Sequence, residues 1–185
     1  PLYAAASNGH DKAIKELLEG LTTPAERRAY VNHADNNGAT PLHSAAQNGH
    51  DKAIKELLDG LKAEERLDYL NMADRNGFTP LNNAAYNGHV NVIKELLEGL
   101  TPEERLPYLN HADNNGATPL YIAAKNGHVN AIEVLLEDLT PEDRLAYLNK
   151  ANKKGYCPLN IAIENKHQNV ICIFKEYGLE DTWYD

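Results

Sequence analysis

Histidine is the residue type in this chain best suited to chemistry at neutral pH, since it ligates metals and moves protons, and there are eight. Five of them, His10, His50, His89, His128 and His167, occupy one recurring position. Equivalent side chains on stacked helices stand about 8–10 Å apart, far beyond the roughly 2 Å bonds by which two histidines share a zinc ion. The five are read as structural. His33 and His111 stand at the bases of turns two units apart, and His43 is alone. A second candidate is Asp35-Asn36-Asn37-Gly38, echoed at Asp74 and Asp113, which faintly resembles the start of a calcium loop. The glutamate that closes such a loop at about the twelfth position is instead Ala46, Ala85 or Ala124, so no calcium site is expected. The sequence contains no phosphate-binding glycine loop, no H-E-x-x-H and no G-x-S-x-G. Glu103 and Glu104 fall where the first turn of a helix favours negative charge. The expectation is a non-catalytic protein with no metal and no cofactor.

These residues are carried by a repeat. Asp113 to His128 recurs as Asp35 to His50 and as Asp74 to His89, in eroded form as Asn152 to His167, and by its second half at Pro1 to His10. Prolines 41, 80, 119 and 158 are spaced by 39 residues, and Pro1 precedes Pro41 by 40. A period of this size means a stacked array. Within one unit, Asp113-Asn114-Asn115-Gly116 is turn chemistry. Thr118-Pro119 predicts a helix start, Leu120, Ala123 and Ala124 a narrow apolar face, and Asn126-Gly127 a left-handed stop. A second helix from about Val129 to Glu137 carries Ile132, Leu135 and Leu136, matched by Ile93, Leu96, Leu97 and by Ile54, Leu57, Leu58. Three buried aliphatic side chains fall well short of the entropy of ordering one unit, so stacking is obligatory.

The turn, the Thr-Pro-Leu helix, the Gly-His step and the Leu-Leu helix together resemble the ankyrin repeat, over nearly the whole chain. The resemblance implies an all-α solenoid of about five helix-turn-helix units with β-turn fingers. It implies that the five repeated histidines hydrogen-bond the backbone of adjacent units. Only His43 keeps the histidine that usually follows Thr-Pro-Leu; Asn82, Tyr121 and Asn160 replace it. It also implies a protein-protein interaction module, with turn tips and first helices lining a concave groove. Among the positions that vary between units, Arg75, Phe78, Asn82, Tyr86, Tyr121, Lys125 and Tyr156 are the expected protein-binding residues, because aromatic and arginine side chains carry most interface energy.

Ankyrin units run to about 33 residues, so these carry about six more, between the Leu-Leu helix and the next turn. Thr23-Pro24-Ala25-Glu26 and Thr101-Pro102-Glu103-Glu104 have the form of a capping box, Thr140-Pro141-Glu142-Asp143 nearly so, and Lys62-Ala63-Glu64-Glu65 lacks the cap. A short third helix of one to two turns is expected in each complete unit, shortest where Pro107 removes a donor. Tyr30, Tyr69, Tyr108 and Tyr147 either pack between units, the favoured reading, or form an extra docking ridge.

With 185 residues, 42% hydrophobic and 24% charged, the composition is that of an ordered soluble chain. A single domain is expected over 1–185, with units at about 1–31, 32–70, 71–109, 110–148 and 149–185. No apolar run approaches the 18 or so residues of a membrane span, and no secretory leader is visible. Cys157 and Cys172 suit a reducing interior such as the cytoplasm. A net charge of −9 argues against nucleic acid and mildly favours a basic protein or peptide partner. The first unit lacks its turn, which points to a piece cut from a longer chain. Lys166 for Gly127, Ile163 for Ala124 and Lys175 for Leu136 suit a terminal cap, with Trp183 either anchoring the tail or frayed. A monomer is expected, self-association through the uncapped first unit being the rival. An engineered consensus scaffold and the targeting segment of a larger effector or enzyme are the alternative readings of function.

Overall fold

The computed structural model describes residues 1–179, and among them are fourteen helices and no strand. The first helices of successive units are α1 (Leu2–Ser7), α4 (Pro41–Asn48), α7 (Pro80–Asn87), α10 (Pro119–Asn126) and α13 (Pro158–Glu164). The second helices are α2 (Asp11–Glu19), α5 (Asp51–Leu58), α8 (Val90–Leu97), α11 (Val129–Leu136) and α14 (Gln168–Glu176). The third helices are α3 (Pro24–Val31), α6 (Ala63–Leu70), α9 (Pro102–Leu109) and α12 (Pro141–Leu148). Each first helix packs on the first helix of the next unit, and each second helix on the next second helix, giving two rows. The apolar faces of the rows meet in one continuous core: Leu81, Ala84 and Ala85 on one side, Ile93, Leu96 and Leu97 on the other, all at most 3% exposed.

The seams between units are built from the recurring Gly-His step. Gly88 ends α7 at φ +70, in the left-handed region where only glycine is unstrained. A Cβ added there would stand 2.6 Å from Nδ1 of His128, one unit on. The glycine is therefore required twice, by its own backbone and by its neighbour's ring. In return the rings reach back across the seam. Nε2 of His50, His89, His128 and His167 lies 2.9–3.1 Å from the carbonyls of Ser7, Gln47, Tyr86 and Lys125. Four of the five repeated histidines thus make the cross-unit bond that the resemblance implied; the His10 ring makes none among the described residues. At the fifth unit Lys166 takes the glycine position at φ +61.

The extra residues do form third helices, and these tie one unit to the next. Tyr69, Tyr108 and Tyr147 are each 1% exposed, the Tyr147 hydroxyl accepting from Leu120 N at 3.2 Å; Tyr30 is half-buried. Three of the four also send an arginine to the C-terminal carbonyls of the following second helix. Arg27 bonds Asp59 O, Arg66 bonds Glu95 O (3.2 Å) and Glu98 O (2.7 Å), and Arg105 bonds Glu137 O (3.1 Å). Those carbonyls have no partner within their own helix and sit at its negative end, so a guanidinium satisfies both demands. Arg144 breaks the series, lying 5.0 Å over the Tyr177 ring.

Pro107 does not shorten its helix: α9 spans eight residues, like α3, α6 and α12. The donor it lacks would have served the carbonyl of Glu103 in the first turn. Both residues are exposed, so the missing bond leaves no polar group shut away from solvent. Cys157 and Cys172 are free thiols. Trp183 lies outside the described residues.

Candidate partner-binding surface

The turn before each first helix is closed by its leading side chain. Oδ1 of Asp74 accepts from Asn76 N and Phe78 N, both at 2.8 Å, and Asp35 and Asp113 do the same in their turns. In the last unit Asn152 Oδ1 takes the amides of Lys154 (2.9 Å) and Tyr156 (3.0 Å). Successive fingers are then laced by backbone bonds: Arg75 N to Asn37 O, Asn114 N to Asn76 O and Lys153 N to Asn115 O, at 2.9–3.0 Å. These carboxylates thus hold amides, and a rigid rim results.

The residue two places after each helix-opening proline proves to be a connector. His43 Nδ1 caps its own helix at Thr40 (N at 3.1 Å, Oγ1 at 2.8 Å), while its Nε2 reaches Phe78 O in the next finger at 2.9 Å. Burial holds the His43 imidazole below its ordinary value, in keeping with a neutral ring that both accepts and donates. Asn82 repeats the cap, its Oδ1 taking Thr79 N (3.1 Å) and Thr79 Oγ1 (2.5 Å), but is too short to cross. Its Nδ2 is buried without a partner. Asn82 is 0% exposed and is corrected from the expected surface set: at the third helical position the side chain folds back on the cap instead of facing outward. Tyr121 is also largely covered, at 7% exposed. Its hydroxyl meets Nδ2 of Asn152 at 3.1 Å, and since Oδ1 of Asn152 already binds two amides, the tyrosine oxygen is the acceptor.

Five of the seven expected residues, Phe78, Tyr86, Tyr121, Lys125 and Tyr156, line one concavity of about 600 Å³ between the fingers and first helices of the third to fifth units. Tyr86 and Tyr156 are the most open of its aromatic residues, 51% and 42% exposed. Arg75 is exposed at a finger tip and does not line it. The concavity is completed by Ile122, Ile161, Lys153, Lys154 and Glu164. Lys154 had been visible in the sequence only as erosion of the turn, although a lysine replacing Asn115 was itself the signal. Burial raises the Tyr121 phenol, with Glu164 and Asp113 adding to the effect, so it stays protonated.

A family model described as "Ankyrin repeats (3 copies)" matches residues 1–66, 63–143 and 100–182. Comparison with curated proteins gives no match.

Proposed function

The chain belongs to the ankyrin-repeat family, and from that premise we propose that it binds a protein or peptide partner in the concavity of the third to fifth units. Ankyrin repeats are generally protein-protein interaction modules. The observation that carries the reading is the gathering of Phe78, Tyr86, Tyr121, Lys125 and Tyr156 around one hollow, with Tyr86, Lys125 and Tyr156 exposed there. Exposed aromatic rings on a rigid frame supply contact area with little ordering entropy.

The test is a binding titration with peptides selected on the full chain. Tyr86→Ala and Tyr156→Ala should each weaken binding by about 2 kcal/mol and leave the thermal midpoint unchanged. Tyr121→Ala is the poorer probe because its ring is also a seam contact. Unchanged affinity in both variants would remove this hollow as the site.

A further inference from the structure

The chain as a whole is acidic, at −9, yet the hollow is not. Its lining holds Lys125, Lys153 and Lys154 against Asp113 and Glu164. Asp113 is 9% exposed, with Oδ1 bound by two amides, which leaves Glu164 as the open carboxylate in a lining that holds three lysines. One lysine is already oriented: Lys153 Nζ donates to Asn114 O at 2.8 Å, keeping further protons for a ligand. The Tyr121 hydroxyl accepts from Asn152, so its own proton has no protein acceptor among the described residues. Donors of this kind ask for an anion, and the flanking rings of Tyr86 and Tyr156 with Ile122 and Ile161 ask for an apolar group beside it.

Resting on the binding reading above, we infer that the hollow takes an internal segment of a partner in which a side-chain carboxylate adjoins an aromatic or branched aliphatic residue. The carboxylate lies among Lys125, Lys154 and the Tyr121 hydroxyl, and the apolar neighbour covers the exposed tyrosines.

The experiment selects a random-peptide library on the full chain and titrates the enriched peptides, made with amidated C-termini, against variants. Enriched peptides should share one Asp or Glu next to an apolar residue. Replacing that acid by its amide, or combining Lys125→Glu with Lys154→Glu, should weaken binding roughly tenfold; a lysine in place of the acid should recover affinity for the doubly reversed variant. Enriched peptides that lose affinity with Tyr86→Ala and Tyr156→Ala but carry no acid, or a base, overturn this inference and leave the binding reading standing. Binding lost on amidation overturns it as well, the anion then being a chain terminus. Peptides indifferent to the tyrosine variants, or no enrichment at all, overturn both.

Discussion

The seam and the hollow of this molecule are made from the same repeat and obey opposite rules. At the seam, Gly88 and His128 are each other's environment: the ring fills the space a Cβ would need, and the glycine's backbone angle admits little else. Residue identity there is over-determined, and the sequence repeats almost without change. In the hollow, the position occupied by Gln47, Tyr86, Lys125 and Glu164 is exposed in each of the second to fifth units. No neighbour constrains it, so chemistry unrelated to folding can accumulate. Beside the two lies the connector position of Tyr3, His43, Asn82 and Tyr121, partly covered at Tyr3 and buried at the other three. Tyr3 donates to Asp35 at 3.3 Å, whereas Tyr121 accepts from Asn152, a reversal set by the exchange of Asp for Asn.

Substitution at the seam should have the largest effect. Gly88→Ala is expected to cost about 3 kcal/mol, combining left-handed strain with overpacking against His128, read as a drop in urea or thermal midpoint. Gly155→Ala has a similar φ of +83 but nothing within 4 Å of the added Cβ, and should cost only about 1–2 kcal/mol. Adding His128→Ala to Gly88→Ala should recover part of the loss, and strict additivity of the two would contradict the shared seam.

Next in size are the bonds that cross units. Arg105→Ala should lower stability by about 1 kcal/mol through loss of the α11 terminal cap, while Arg144→Ala, which reaches no such terminus, should cost less. The connector adds a pH dependence. His43 titrates below 6.5 when folded and near 6.5 when unfolded, so the unfolded chain takes the proton first. Stability is therefore full above that range and falls as the solution is acidified through it. His43→Asn keeps the cap, as Asn82 does, and should flatten the acid limb of a plot of thermal midpoint against pH. The smallest effect on stability, within roughly 0.5 kcal/mol, is expected for Tyr86→Ala, and a larger loss would mean that the hollow has a packing duty after all.

How much of this was legible in sequence follows the same division. Helix starts at Thr-Pro, stops at Gly and the Leu-Leu stripes are local signals, and each appears where its residues place it. The bonds from the repeated histidines to the backbone of the adjacent unit were implied by the family resemblance, and four of them form. The arginine clasps were not, since Arg66 and Glu98 lie 32 residues apart and no local rule links an insert to the next unit's helix end. Asn82 was misplaced for a related reason: its residue type suits a surface, but a cap three residues earlier in the helix start draws it inward. The hollow itself was half visible. Its aromatic residues and Lys153 stand out as variation within a repeat, whereas Lys154 resembles decay of a turn until the fingers are stacked beside Tyr121.

The most direct measurement is a map of backbone amide shifts in the 15N-labelled full chain as a selected peptide is added. Shifts concentrated at Tyr86, Lys125, Lys153, Lys154 and Tyr156, with α5, α8 and α11 unmoved, are the predicted result. Shifts gathered on the second or third helices, leaving the hollow silent, would contradict it.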